Sequence, residues 1–483
     1  MQTDVIVVGA GPTGLMLAHE LSLAGVTVVV LEKERTRSTQ SRAGGLQPRT
    51  AEVLDLRGLL EPLLADAPPQ EGTGGHFAML PVELDCRPWR TRYPRPVTLP
   101  QAQLEAFLEQ RLRERGVPVL RGHAVTAVEQ DPEGVSAGGI RGSYLVACDG
   151  AHSAVRRLLG VPFPGRTSGV SAVAADITLA ARTDAVPGAR RHFSEYVRAS
   201  ADFFGVLHPL DGDRYRLIFG KLSGDGPGRE VPVAPEEIRE VLHSVYGPGT
   251  ELGELCAASR FGDATRQVER YREGRVLFAG DAAHIHMPIG GQGVNLGVQD
   301  AMNLGWKLAA AVRGWAPAGL LDSYHDERHP VAARVLQHTR AQTVLMNPGR
   351  NQDVAAVRDL MTELLRLPDT HRYISGMMSG LDIRYDGLGA RMVDLDLTTE
   401  HGPTRMSELM HSGRGLLLSL DGKQRPVGGR SDRVDHITAK TADHVTAKTE
   451  EEGEALLIRP DGYVAWTAGD GTPLESALAR WFG

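Results

Sequence analysis

The sequence predicts an α/β chain in which a Rossmann-like unit is interrupted by an antiparallel β-sheet and followed by a smaller C-terminal unit. Three observations carry that expectation. A glycine-rich turn joins a β-branched strand to an apolar-periodic helix at the N-terminus. Two further short apolar strands, near residues 145 and 277, run into an Asp-Gly and a Gly-Asp pair. Between about 175 and 265 the texture changes to alternating segments broken by Gly, Pro and Asp turns, the pattern of antiparallel strands.

Each element follows from local chemistry. Asp4 to Val8 is a β-branched run suited to a buried parallel strand. Gly9-Ala10-Gly11-Pro12-Thr13-Gly14 follows, then Leu15, Ala18, Leu21 and Leu23 at helical spacing, with Gly25 as the stop. Val26 to Leu31 is the second strand, with Glu32 at its end, which completes a βαβ unit. Ser143 to Cys148 predicts another strand, followed by Asp149-Gly150 and a helix carrying Arg156 and Arg157. Arg275 to Ala279 predicts a third, running into Gly280-Asp281, a glycine-rich loop and a long helix from about Val294 to Val312. Leu320 to Met346 reads as helical, with Pro330 expected to bend or interrupt it. From about 385 short strands alternate with polar turns, and Pro460-Asp461-Gly462 marks a hairpin turn. A near-repeat, Asp435 to Thr441 and Asp443 to Thr449, has a period too short for a solenoid and reads as a duplicated loop or hairpin edge.

Composition closes several function classes. The chain has 483 residues, ample for a buried core without disulfides, and 41% hydrophobic residues exclude a disordered chain. A net charge of -7 predicts no nucleic-acid partner. Cys86, Cys148 and Cys256 form no zinc or redox spacing, so free thiols in a cytoplasmic setting are expected. Asp4, His19 and Glu20 break up the apolar N-terminus, so no signal peptide or membrane span is expected. The 56 glycines exceed usual abundance without a Gly-X-Y period. They are expected at tight turns and where backbone approaches a ligand.

The candidate chemistry begins with Gly9, Gly11 and Gly14. The first glycine permits the turn, the second lets backbone approach a pyrophosphate, and the third lets helix pack on strand. The helix N-terminus faces the phosphates. Glu32 lies 18 residues beyond Gly14 and suits a ribose diol. Thr13 and Lys33 flank these positions and join the candidate set. This motif alone leaves FAD and NAD both open. No second GxGxxG stands between a strand and a helix, so a permanently bound second dinucleotide is not expected. His284 and His286 with Asp281 form no expected metal site, because the surrounding motif accounts for the segment. No GxSxG elbow supports a hydrolase.

Cys148 to Arg156 contains DGxxSxxR, and Gly280-Asp281-Ala282-Ala283-His284-Ile285-His286-Met287-Pro288 matches GDAAH…P. With GxGxxG, in this order and spacing, these motifs resemble the group A flavoprotein monooxygenases, the FAD-dependent aromatic hydroxylases. The similarity is greatest to hydroxylases of aromatic polyketides of the angucycline type, with rifampicin monooxygenases also close. It extends over Thr265 to Val268, Arg275 to Lys307, Ser323 to Arg328 and the C-terminal hairpin. The resemblance implies a discontinuous FAD-binding domain (1–175 and 266–384), a substrate-binding β-sheet domain (176–265) and a thioredoxin-like C-terminal domain (385–483) that lacks cysteine.

The resemblance also implies roles. Asp281 would bind the ribityl chain. Pro288 and the loop Gly290-Gly291-Gln292-Gly293-Val294-Asn295 would lie beside the isoalloxazine ring. The backbone of Val294 and Asn295 and the positive end of the following helix would favour the anionic reduced flavin. Arg42, in the loop from Ser41 to Arg49, would meet the pyrophosphate; Gln101 would contact FAD, and Val125 the adenine. Asp149 and Arg156 belong to a motif linked to FAD and NADPH. NADPH or NADH would be a transient donor and O2 a co-substrate, with a flavin C4a-hydroperoxide hydroxylating an electron-rich polycyclic phenol. No residue announces itself as a base for that phenol. His76, Phe77, Phe203, Phe204 and His208 are pocket candidates that core or surface roles would also explain. A Baeyer–Villiger outcome, inactivation of an antibiotic, and a flavin-binding redox sensor without turnover are the alternatives. The five tryptophans show no halogenase WxWxIP. The chain is expected to be a monomer or homodimer.

Overall fold

The computed structural model describes residues 2–37, 44–65, 67, 74–169, 171–189, 191–210, 212–222, 227–228, 230–346, 352–441 and 454–483. Arg42 and the second copy of the near-repeat lie outside the described residues. The first copy forms the strands Val434–Thr438 and Lys440–Thr441.

Five strands make a parallel sheet in the order Val276–Phe278, Tyr144–Ala147, Val5–Val8, Val28–Glu32, Val119–Arg121, with Arg272–Glu273 antiparallel at one edge. Val5 to Val8 are buried on both faces, which explains why this strand reads as a continuous apolar run instead of an alternation. All three motif turns therefore leave from the carboxyl ends of adjacent parallel strands, the side on which such sheets bind ligands.

Five helices position the site and its supports: α1 (Pro12–Leu23), α2 (Pro235–Tyr246), α3 (Gly293–Val312), α4 (Ser323–Leu345) and α5 (Pro368–Ser379). Helix α1 meets α3 where the latter carries glycine. A Cβ at Gly305 would stand 2.5 Å from the Glu20 Cβ, and one at Gly297 would overlap the Thr13 hydroxyl. Pro330 does not interrupt α4, which continues to Leu345. Among the described residues no helix is long and apolar enough to cross a membrane.

The inserted sheet has the order Val197–Ala199, Phe203–Pro209, Arg214–Lys221, Ser171–Ala181, Glu251–Gly262, all antiparallel. Helix α2 covers one face, burying Ile238, Val241 and Leu242 against Val173, Ile177, Leu207, Leu217 and Phe219. The C-terminal sheet runs Val434–Thr438, Gly415–Ser419, Ala455–Ile458, Val464–Thr467, its first pair parallel and the others antiparallel. The expected hairpin turns at Pro460 to Gly462, where Gly462 has φ 80° and its N–H donates to the Arg459 carbonyl.

That turn is buried and charged. Arg459 is fully buried and donates to both Glu327 carboxylate oxygens at 2.7 Å and to Asp461. Lys307, also fully buried, lies 2.9 Å from Glu327, and Asn303 bridges Glu327 and Asp461. The rings of Trp481 and Trp306 lie 4.7 and 5.2 Å from the Arg459 guanidinium carbon. Burial opposes ionisation of Glu327, but Arg459 and Lys307 outweigh it and hold the carboxyl down at about 2. Burial brings Lys307 down to about 8. A second arginine, Arg57, pairs with Glu20 of α1 at 2.8 Å and donates to the Pro460 carbonyl.

Removing one member of such a cluster strands the rest. Arg459→Met should lower unfolding free energy by about 3–5 kcal/mol in urea titrations. The Glu327 carboxyl is depressed in the folded state, so its stabilisation is complete above the unfolded carboxylate range and lost as pH falls toward about 2. Glu327→Gln should flatten that acid limb of the stability profile.

Candidate active site

The three motifs, far apart in sequence, converge at one place. Gly9 has φ 106°, and a Cβ there would run into the Cys148 carbonyl and come within 3.0 Å of the Asp149 Cα. A Cβ on Gly14 would overlap the Gly9 carbonyl oxygen. Gly280 approaches Thr13, whose Oγ1 would be 2.6 Å from a Cβ on it. Arg156 donates to the Ala282 carbonyl at 2.9 Å and to the Ala151 carbonyl at 2.8 Å, with its guanidinium 3.7 Å from the Phe163 ring centroid. The DG segment is thus tied to the GDA segment by one side chain.

Gly11 differs from its neighbours. A Cβ at this position would meet no atom within 4 Å. It is the N-cap of α1, whose first-turn N–H groups point into that open side. Asp149 adds an unpartnered acceptor: its Oδ2 accepts from the Ala154 and Val155 N–H groups, while Oδ1 is buried with no partner. The Glu32 carboxylate accepts from the N–H of Ala10 at 2.8 Å and of Glu34 at 2.9 Å, which fixes it between the first turn and the end of the second strand. A cradle with room at Gly11, a helix N-terminus and a free buried acceptor fits a dinucleotide.

The other sequence candidates fall on or near this cradle to different degrees. Val125 is buried, two residues past His123, whose N–H donates to the Glu32 carbonyl at 2.8 Å. Gln101 heads the helix Gln101–Glu114 and donates to Glu105. Lys33 is exposed and lies beside Glu34, 3.7 Å from its carboxylate. The Thr13 hydroxyl packs toward Gly280 and Gly297, so that side chain joins α1 to α3.

Asp281, Pro288 and Gly291 are exposed, and nothing lies within 4 Å of a Cβ on Gly291. Gly293 opens α3, and a Cβ on it would be 4.0 Å from Asp281 Oδ1 and 3.9 Å from His286 Nε2. Val294 is half-buried against the core. The Asn295 side chain is buried and structural: its Oδ1 accepts from the Gln47 N–H at 2.7 Å and its Nδ2 donates to the Gly291 carbonyl at 2.6 Å. Gln47 also donates to the Gly290 carbonyl at 2.8 Å. The 45–47 segment and the 290–295 loop are therefore laced together, leaving the Gly291 side open between them.

Behind the loop lies a buried carboxylate. Asp300, fully buried in α3, accepts from the Gly280 N–H at 3.1 Å, His284 Nε2 at 2.7 Å and Arg328 Nε at 2.7 Å. Burial works against its charge, yet Arg328 and His284 hold it below the usual carboxylate range. Arg328 also donates to the Leu296 carbonyl and the Tyr385 hydroxyl. His284 is committed to this network. Among the described residues no group of three or more His, Cys, Asp or Glu is arranged to hold a metal. Asp300 is not among the sequence candidates, although an acid within an apolar helix was the available signal.

The pocket candidates separate. Phe203 is in the core under α2, and Phe77 packs with Met377 and Met378. His76 stacks on Phe193 at 4.9 Å, and Phe193 and Tyr196 both approach His208. Burial pushes the His76 imidazole down to about 4, with His192 adding to the shift. Phe204 lies over Gly220 on the sheet face opposite α2. That face carries Ala172, Ala174 and Ala257 beside Val206, Ile218 and Phe261, with the Asp176–Arg216 ion pair at 2.7 Å. Phe77 shares one buried apolar cluster with Met378, which sits on Gly290. The aromatic cluster and the 290–295 loop are thereby joined through the 76–78 segment.

Residues 2–339 match the FAD binding domain family and residues 386–483 match the C-terminal region of aromatic-ring hydroxylases. The chain is 44% identical to 12-dehydrotetracycline 5-monooxygenase/anhydrotetracycline 6-monooxygenase of Streptomyces rimosus, over 100% of this chain and 99% of that protein. It is also 44% identical to rifampicin monooxygenase of Streptomyces venezuelae, over 99% and 98% of the two chains. The crystal structure of CabE, an aromatic hydroxylase from angucycline biosynthesis, superposes with a TM-score of 0.90 at 38% identity, covering 100% of this chain and 99% of that one.

The contrast between Gly11 and Gly14 is testable. Gly11→Ala should leave unfolding free energy within about 1 kcal/mol of wild type but weaken FAD at least ~10-fold in equilibrium titrations. Gly14→Ala should lower the melting temperature as well, because the added carbon meets backbone.

Proposed function

We infer the function from one premise: the chain belongs to the FAD-binding aromatic-ring hydroxylase family. It is an FAD-dependent aromatic monooxygenase. Our reading of its activity is hydroxylation of a polycyclic phenol of the aromatic polyketide type, with NADPH or NADH as donor and O2 as oxygen source. The observation that carries it is the convergence of Gly9 on Asp149, Thr13 on Gly280 and Arg156 on Ala282 around one open cradle.

The cofactor supplies the redox and oxygen chemistry when bound; the chain supplies position and charge. Gly11 and the first turn of α1 take the pyrophosphate, Glu32 the adenosine ribose, and Val125 the adenine. Asp281 takes the ribityl chain. The N-terminus of α3 places a positive end at the Gly291–Asn295 loop, which favours negative charge developing there. The open face of the inserted sheet, with His76, Phe193, Tyr196, Phe204 and His208, offers aromatic contact to a flat ring system. The aromatic cluster and the paired charges of Asp176 and Arg216 bound that face.

A second reading, inactivation of an antibiotic, is favoured by the 44% identity to a rifampicin monooxygenase. The two separate in one assay. Purified FAD-loaded protein should oxidise NADPH at least ~10-fold faster with a tetracycline- or angucycline-type polycyclic phenol, yielding a product heavier by one oxygen. Stimulation by rifampicin alone would establish the second reading, and no stimulation by either class would overturn the first. Asp281→Ala should weaken FAD at least ~10-fold; unchanged affinity would remove Asp281 from its assigned role.

A further inference from the structure

Three buried polar atoms without partners belong to side chains on the wall of one cavity. The cavity, of about 180 Å³, lies between α3, α4 and the end of α5, and Gln292, His338 and Asp382 line it. The unpartnered atoms are Gln292 Oε1, His338 Nε2 and Asp382 Oδ1. Gln292 and His338 are 5% and 7% exposed. A buried polar atom left unpaired is destabilising, so three on one wall call for a polar guest.

The bonds that each side chain already makes fix what its spare atom offers. Gln292 donates from Nε2 to the Met377 and Met378 carbonyls, so Oε1 is an acceptor. Asp382 accepts from Arg334 on Oδ2 at 2.6 Å, which leaves Oδ1 as a second acceptor. Gln342 accepts the Ala78 N–H on its Oε1 at 3.0 Å, which turns its amide nitrogen toward His338 Nδ1 at 3.2 Å. His338 Nδ1 is therefore an acceptor, and the neutral ring carries its hydrogen on Nε2. Burial keeps that ring neutral, holding it down at about 3. The wall thus presents two acceptors and one donor.

A primary carboxamide presents the inverse, two N–H donors and one carbonyl acceptor. A carboxylate would set its charge against Asp382 and bring no hydrogen to either acceptor. Leu296, Val331, Val335 and Met378 supply apolar wall for a ring. A cavity of about 150 Å³ accepts a benzene molecule, so one aromatic ring with a short substituent fits. Gln47 and Asn295 also line the cavity, so a guest lies against the 290–295 loop. Ile383 and Arg384 line both this cavity and a second one of about 230 Å³. Arg90, Arg372 and Arg391 line the second, and among the described residues no carboxylate does. An anionic tail on the carboxamide ring suits that continuation, because guanidinium groups match phosphate geometry.

We propose that Gln292, His338 and Asp382 form a binding site for a primary carboxamide on a single aromatic ring, the chemistry of nicotinamide. The carboxamide oxygen accepts the His338 Nε2–H, and its two N–H groups donate to Gln292 Oε1 and Asp382 Oδ1. Two sources carry this group: a free nicotinamide-type amide, or the headgroup of a nicotinamide dinucleotide with its pyrophosphate toward the neighbouring arginines. The second source rests on the reading of NADPH or NADH as donor; the carboxamide site itself does not.

The test uses full-length, FAD-loaded protein labelled with nitrogen-15 histidine. The His338 Nε2 resonance, identified by its loss in His338→Phe, should move saturably on titration with nicotinamide. Nicotinic acid, which has no N–H donor, and N,N-dimethylnicotinamide, which keeps only the carbonyl, should bind at least ~10-fold more weakly. No saturable movement of any histidine signal, or equal binding of all three compounds, would overturn the proposal whether or not the variant folds. Movement confined to other histidines would overturn it as well. NADP+ binding at least ~10-fold tighter than nicotinamide, with that gain lost in Arg384→Ala, assigns the site to the dinucleotide. NADP+ binding no tighter assigns it to a free amide, and tighter binding indifferent to Arg384→Ala refutes the placement of the tail. NADPH oxidation by a protein that shows no nicotinamide response would defeat this site and leave the activity reading standing. A nicotinamide response without NADPH or NADH oxidation would do the reverse.

Discussion

The site depends on one buried carboxylate. Asp300 has no solvent to stabilise its charge, so it survives only because three donors surround it: the Gly280 N–H, His284 and Arg328. Each donor comes from a different element. The Gly280 N–H fixes the end of the Val276–Phe278 strand, His284 fixes the segment leading to the loop, and Arg328 fixes α4 against α3. Burying an ion this way is costly, and a hydrophobic cluster of equal volume would hold the elements at least as firmly. What the ion adds is direction. The three donors admit one arrangement, and that arrangement leaves Asp281 facing outward beside Gly293.

Much of this is legible in the sequence because it is local. A strand, a turn of glycines and a helix are consecutive, and the physical demands on Gly9, Gly11 and Gly14 are set by that short stretch. The parallel sheet, the inserted antiparallel sheet and the hairpin at Pro460 to Gly462 follow from period and turn residues. The parts that escape are contacts between distant segments. Nothing near Asn295 in sequence indicates that its side chain would bind Gln47, and nothing near Arg459 indicates Glu327. Pro330 departs from local expectation for a related reason. Its missing N–H and ring are tolerated in α4, a helix held on several sides by packing and by Arg328, Glu327 and Arg334, and local propensity yields to that context. Phe203 and Phe204 show the limit of pattern on the site itself: adjacent in a strand, they point to opposite faces, and only the pairing with Arg214–Lys221 and the cover of α2 decide which faces the open side.

Two kinds of surface meet at the 290–295 loop. On the cradle side the atoms are backbone N–H groups, open glycine positions and exposed carboxylate, suited to an extended polar molecule. On the sheet side they are aromatic rings, small side chains and neutral imidazole, suited to a flat apolar one. The 76–78 segment stands between them, with Ala78 and Met79 in left-handed backbone at φ 50° and 55°. Those two residues are held by Gln342 and Arg358. Two left-handed residues tied by three hydrogen bonds fix the course of this segment between the two surfaces.

Glu327 and Arg328 are adjacent on α4, yet they serve different regions. The arginine closes the cluster around Asp300, and the glutamate closes the one around Arg459. A rigid helix cannot turn at one of these residues without turning at the other. The C-terminal sheet and the loop at Gly291 are thus two ends of one lever. A truncation that removed Arg459 would leave Glu327 and Lys307 seeking new partners and would twist Arg328 away from Asp300. The C-terminal unit is accordingly part of the scaffold behind the candidate site, and its loss would be felt as a slackened 290–295 loop well before the parallel sheet came apart.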